Sequence, residues 1–257
     1  MSARLDLRGW SRALQPTLPD PDRLPQGLGP QVRAAAIATW RARMINEHGS
    51  APVFEALAQQ AAAAGLDATA RELAGFAHEE RHHGALCGAV VEALGGEAVA
   101  TIEAPTPVPG HDEVAPIEAL ARNVISVCCM SETIAVALID AERLQMPQGP
   151  LRTLLTAILA DEVGHARAGW RLLASLCEGE RPALDADARV RLWAYADVAL
   201  EHQRAHQHAH LPLASRPPAA AAAWGLCDGA SARTLCDDTI AHVIVPGLAA
   251  RLGPAPR

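Results

Sequence analysis

Apolar residues recur at spacings of three and four through most of this chain, and the runs they form are long. Four of them, at about 31–64, 67–94, 115–145 and 150–178, have the period of helices with one buried face. Their stops are chemical: Gly65 after the first, Gly95-Gly96 after the second, and the MPQGP segment between the third and fourth. Gly49, Ser50 and Pro52 fall inside the first run, which predicts a kink or break just after Glu47. Residues 97–114 are too rich in proline for a helix but long enough to cross the length of a bundle. Residues 184–209 and 229–250 read as two further helices, and Pro246 is expected to bend or end the last. The proline-rich stretch 1–30 is expected to wrap the surface without regular structure.

The fold class is therefore all-α. A short turn, a long crossover and a second short turn predict a four-helix bundle over residues 31–178, with the crossover between its second and third helices. Residues 1–30 form an arm, and residues 179–257 a helical extension packed on the bundle, since neither of its helices is long enough to fold alone. Composition fits: 257 residues, 50% hydrophobic, can bury a large core, and aromatics are only 3%.

A formal net charge of −7 with no basic stripe argues against nucleic acid as a partner. No stretch reads as a membrane span of roughly 20 apolar residues. The first residues lack the apolar block of a signal peptide, so a cytoplasmic location is expected. The six cysteines (Cys87, Cys128, Cys129, Cys177, Cys227 and Cys236) sit in apolar helical contexts and read as buried thiols without disulfides. No nucleotide-binding motif is present.

The candidate chemistry lies in a duplicated pattern. AHEERHHGAL holds Glu79 and His82, and LADEVGHARA holds Glu162 and His165. Positions three apart share a helix face, so each pair aims a carboxylate and an imidazole the same way. Each has a glutamate on the preceding helix: Glu47 in MINEHGSAPVF, 32 residues before Glu79, and Glu132 in CMSETIAVAL, 30 before Glu162. Glu55 competes with Glu47, but the repeat favours Glu47: it maps to Glu132 at an offset of 85, close to the offset of 83 between the pairs, whereas Glu55 would give 77. Within HEERHH, Glu80 and His83 have the same spacing as Glu79 and His82, about 100° around the helix. Ala77, Ala85 and Leu86 place Glu79 and His82 on the apolar face, which leaves Glu80 and His83 a solvated or boundary position.

Four carboxylates converging in an apolar bundle would repel, and each would carry a heavy desolvation cost. Two divalent cations neutralise them. A mixed nitrogen and oxygen ligand set suits iron or manganese better than zinc. The competing account has these glutamates on solvated faces, paired with Arg81, Arg122 and Arg167; two matched copies of the pattern weigh against it.

With these residues in place, the chain resembles the ferritin-like superfamily of di-iron carboxylate proteins over about residues 31–178. The resemblance implies two iron ions, or a Mn/Fe pair, held by Glu47, Glu79, His82, Glu132, Glu162 and His165. It also implies that Asp161 supports His82 through the second ring nitrogen, as an aspartate before the pair's glutamate does in that family. His78 stands where the first motif would carry such an aspartate, which is a departure from the pattern.

Other departures narrow the implied activity. The proline-rich arm and two added C-terminal helices fit a discrete enzyme better than a storage cage. There is no Cys-x-x-Cys pair for a further iron site, and the sole tyrosine, Tyr195, lies outside the bundle. The expectation is an oxidoreductase that activates O2 or peroxide on a small organic substrate, served by an external electron donor and compatible with a homodimer. A ferroxidase without organic substrate and a metal-free interaction scaffold are the alternatives. The stretch EHQRAHQHAH places His202, His206 and His210 four apart, read as a solvated polar face or as an accessory metal or relay site. Trp170, near the second motif, reads as core packing or an aid to electron transfer.

Overall fold

The structure is a computed structural model, and it describes residues 2–14, 29–103, 106–178, 183–211 and 217–254. Helices dominate it, and the only β-structure among the described residues is one two-stranded sheet.

Helix α2 (Pro30–Ala63) begins at a proline, whose missing N–H costs nothing in the first turn. It ends at Gly65, whose φ of 76° lets the Leu66 amide turn back to the Ala61 carbonyl. Helix α3 (Asp67–Ala93) closes in the same way, with Gly95 at φ 83° and the Gly96 amide bonded to the Val91 carbonyl. The two pack along their lengths. Of the kink or break expected just after Glu47, a break does not occur: α2 stays helical throughout and carries Pro52 internally. The buried side chains Met44, Ala51, Phe54 and Leu57 bracket that site and hold it against α3.

Helix α4 (Pro116–Gln145) and helix α5 (Pro150–Cys177) form the second hairpin. Within α4, residues Ile125–Ser131 are π-helical, a widened turn that the sequence pattern did not announce. Helix α4 also corrects the expectation about membrane spans. By length and composition it holds a window apolar enough to cross a membrane, and 44% of that window is buried inside the fold.

The crossover between the hairpins is not helical, as expected, but it contributes strand β2 (Val99–Glu103). This pairs antiparallel with β1 (Ser2–Asp6), Ser2 opposite Glu103 and Asp6 opposite Val99. Helix α1 (Arg8–Leu14) follows and packs on α3. Residues 2–14 are thus ordered into a strand and a helix rather than an irregular wrap, because Leu5 and Leu7 enter the core with Trp40, Val91 and Leu94. The rest of the arm, residues 15–28, lies outside the described residues.

Helix α6 (Ala186–His210) is capped by Asp185, whose side chain accepts from the Ala188 amide at 2.8 Å. Helix α7 (229–252) is capped likewise by Asp228 and holds a π turn, Ile240–Ile244, directly before Pro246. The widened turn accommodates a proline that would otherwise clash with the preceding turn, so the helix continues past it. Both helices pack on the α4–α5 side, and Trp193 Nε1 donates to the Gly253 carbonyl at 2.9 Å. Trp224, on a short 3-10 turn (Ala219–Trp224), accepts at its carbonyl from Trp40 Nε1 at 2.8 Å. Among the described residues all six cysteines are free, five of them buried.

Candidate metal centre

On α3 the buried residues Leu73, Phe76, Glu80, His83, Cys87 and Val90 follow one another at alternating spacings of three and four. On α5 the corresponding stripe is Leu155, Ile158, Glu162, His165, Gly169 and Leu173. Each stripe faces the core because its apolar members do, and it carries a Glu and a His in with them. Glu47 arrives from α2, and Glu132 from α4 at the end of the π segment, its amide bonded to the Val127 carbonyl five residues back.

These six side chains make two overlapping groups. Glu47, Glu80, His83 and Glu162 form one, and Glu80, Glu132, Glu162 and His165 the other, with one ligand atom of each residue within 4.8 Å of the rest of its group. Glu80 and Glu162 belong to both. Either group could hold a metal ion.

Four of the expected residues, Glu47, Glu132, Glu162 and His165, are brought together. Glu79 and His82 are not, and Glu80 and His83 stand in their place. The one-residue shift turns the α3 pair by about 100°, and His82 ends up exposed. The alanines Ala77 and Ala85 were weak guides, because the buried face of α3 is wide enough to take them along with the Glu80 stripe. A better signal was present: Glu79-Glu80 matches Asp161-Glu162 as an acidic doublet, and Glu79, Glu80 and His83 all map onto the second half at one offset of 82.

Glu79 is nevertheless engaged. Its Oε2 lies 2.8 Å from His165 Nε2, and Asp161 Oδ2 lies 3.0 Å from His83 Nε2. The acidic residue before each ligand glutamate therefore reaches the histidine of the opposite half. Asp161 has its expected role toward His83 rather than His82, and His78, expected to be a supporting residue, is exposed. With Nε2–H held by these carboxylates, loss of the second proton would leave each ring with its Nδ1 lone pair toward the cluster.

Burial sets the protonation of this metal-free form. It pushes the Glu80 carboxyl up to about 8, against the pull of His165. It drives Glu132 well above the usual carboxylate range, with Glu162 adding to the effect. Glu162 goes the other way: burial opposes its charge, but His165 and His83 beside it outweigh the penalty. His83 likewise is raised to about 11, because Glu162 and Glu47 overcome desolvation, and His165 is raised by Glu132, Glu162 and Glu80. Protons thus offset the negative charge of three buried carboxylates and the half-buried Glu47.

The protons do not satisfy every polar atom. His83 Nδ1 lies 3.2 Å from Glu162 Oε1, and His165 Nδ1 lies 3.1 Å from Glu80 Oε1. Those contacts are close but misaligned, so His83 Nδ1, His165 Nδ1 and Glu80 Oε1 are buried without a hydrogen-bond partner. Buried polar atoms are rarely left so. One of them, His83 Nδ1, belongs to the first group and two, His165 Nδ1 and Glu80 Oε1, to the second, and nitrogen and oxygen donors of this kind could hold a metal ion.

Phe54 and Phe76 cover the His165 side, with ring centroids 5.2 and 4.4 Å from the imidazole. His202, His206 and His210 belong to neither group. The His206 and His210 rings lie 4.2 Å apart on the exposed side of α6, and His210 Nδ1 donates to the His206 carbonyl. Trp170 Nε1 donates to Thr133 Oγ1, and Arg251 lies over its ring. No family model, no curated protein and no solved structure matches the chain.

Proposed function

We propose that this is a dimetal-carboxylate oxidoreductase of ferritin-like architecture that activates O2 or peroxide on a small, largely apolar organic substrate. The observation that carries the reading is the pair of overlapping Glu/His groups with shared Glu80 and Glu162 and unpaired, inward-facing nitrogens. Two helical hairpins joined by a long crossover, each giving one lone glutamate and one Glu-x-x-His pair, support the architecture.

Glu80 and Glu162 would serve both metals, Glu47 and His83 one, and Glu132 and His165 the other. A carboxylate-rich set with one nitrogen per metal favours two irons, or manganese with iron. When bound, the metals supply redox equivalents and open positions for O2 or peroxide. The protein's part is to hold that chemistry apart from water: Phe54 and Phe76 close the His165 side, while Asp161 and Glu79 retain the Nε2 protons and fix both rings. Repeated turnover calls for an external electron donor.

Metal content after expression in iron-supplemented medium tests the reading, followed by the absorption spectrum of Fe(II)-loaded protein exposed to O2. Two metals per chain and an O2-dependent band are expected; metal content unchanged by Glu162→Ala would refute the site. A second reading, a ferroxidase, is favoured by the partial exposure of Glu47, Glu79 and Asp161. It predicts Fe(II) turnover without any organic substrate, in a large assembly.

A further inference from the structure

Each bundle helix places one residue about one or two turns from its ligand on the same side of the cluster. These are Phe54, seven after Glu47; Phe76, four before Glu80; Cys128, four before Glu132; and Gly169, four after His165. Phe54, Phe76 and Cys128 belong to one buried core cluster, and both aromatic rings touch His165. Of these four, Cys128 alone carries a reactive side chain.

Resting on the proposed dimetal function, we infer that Cys128 is the thiol on the His165 side of the cluster and the residue that oxidises when peroxide reaches the loaded centre without substrate. Three observations place it there. A Cβ built on Gly169 would lie 2.2 Å from Cys128 Cβ, so a missing side chain on α5 is what lets the π segment carry Cys128 this far inward. The charges acting on its thiol, apart from neighbouring Cys129, are those of Glu132, Glu72 and Glu80, whereas Cys129 is acted on by Arg251. Independently, the group it borders contains the unpartnered, buried Glu80 Oε1 and His165 Nδ1, which mark where a metal would sit.

The chemistry is a two-electron oxidation. The Cys128 sulfur forms a bond to one peroxide oxygen, and the O–O bond breaks. The other oxygen leaves with the thiol proton as water, giving a sulfenic acid, and a second equivalent gives the sulfinic acid. Burial keeps the thiol protonated and shut off from bulk oxidant. Oxidation therefore requires peroxide to be delivered at the cluster.

The test uses full-length protein loaded with Fe(II), treated with two equivalents of hydrogen peroxide, alkylated and digested, with the modified cysteine located by tandem mass spectrometry. The expected result is one or two added oxygen atoms on Cys128, roughly tenfold over Cys129, lost when iron is omitted and lost in Glu162→Ala. Since Glu162→Ala could fail to fold, the iron-free wild-type arm decides alone where it does. Unmodified Cys128 in protein that binds iron and consumes peroxide overturns the inference, as does equal oxidation of Cys129 or oxidation without iron. A chain that takes up no iron overturns the dimetal reading instead.

Discussion

The two hairpins deliver matching ligands by different backbones. Helix α2 runs unbroken past an internal proline and presents Glu47 with 15% of its side chain exposed. Helix α4 widens into a π segment and presents Glu132, 8% exposed, beneath Phe54 and Phe76 on the His165 side. The ligand pairs repeat at an offset of 82, the lone glutamates at 85. What the halves share is therefore the point where side chains meet, not a copied backbone, and the α4–α5 position is the drier of the two. A π turn beside a buried site is a common way to aim one residue without disturbing the helix around it.

The largest test of this comparison is replacement inside the α3 pair. Glu80→Ala should abolish binding of both metals, because Glu80 belongs to both groups, whereas Glu79→Ala should keep two metals per chain at lower affinity. His83→Ala and His165→Ala should each leave one. Inductively coupled plasma mass spectrometry on desalted protein decides it; a Glu79→Ala protein that lost all metal beside a Glu80→Ala protein that kept it would reverse the assignment.

That test also isolates what the sequence made legible. Helix existence, the two hairpins, the crossover and the α5 pair were readable, because apolar spacing and glycine stops express local physics that no tertiary contact overrides. The α3 register was harder: HEERHH offers two pairs about 100° apart, and alanines flanking both give little hydrophobic contrast. The stripe Leu73, Phe76, Cys87 and Val90 contained the answer. The π segment left no such mark. It arises because α4 must approach α5 at Gly169, a contact between residues 41 apart in the chain, and the order of residues 2–14 likewise depends on a strand partner about 97 positions away.

Next in size are the carboxylates behind the rings. Their exposures are alike, 42% for Glu79 and 44% for Asp161, so the halves should respond equally. Asp161→Asn and Glu79→Gln should each weaken one position by about 10- to 100-fold, Asp161→Asn the His83 position and Glu79→Gln the His165 position. Competition with a chelator of known affinity measures it. Equal weakening of both positions by either variant would show that the two groups do not act separately.

Glycine substitutions compare the backbones directly. Gly169→Ala forces a Cβ to within 2.2 Å of Cys128 Cβ, and should destabilise the metal-free protein by roughly 1–3 kcal/mol. At Gly84, on α3, an added Cβ would meet His48 Cβ and the His48 backbone nitrogen at 3.2 Å, a full 1.0 Å wider than the contact at Gly169, so that α2 need give by only a few tenths of an ångström. The helix-propensity gain of about 1 kcal/mol for alanine over glycine should bring Gly84→Ala near neutrality. Urea denaturation in the presence of chelator separates them; equal losses would mean that the π approach is no tighter than the α2–α3 seam.

The smallest effect is on pH dependence, where both halves should act with the same sign. Glu80 holds its proton up to about 8 in the folded chain against 4.5 ordinarily, and His83 up to about 11 against 6.5. For each, the folded state binds the proton more tightly than the unfolded chain. Stability from Glu80 is therefore present below pH 4.5 and lost as pH rises through 8, and that from His83 is present below 6.5 and lost towards 11. Glu132 and His165, also raised, contribute the same sign from the second half, while Glu162, lowered, contributes stability that disappears only on acidification. The Tm of chelator-treated protein should accordingly fall by a few degrees from about pH 6 to about pH 9, whereas metal-loaded protein, its ligands already deprotonated, should stay flat. Metal binding at neutral pH should release protons, seen as a buffer-dependent calorimetric heat. A metal-free Tm that rose with pH over that range would mean the buried carboxyls are ionised without cations, and the charge balance assigned to both halves would be wrong.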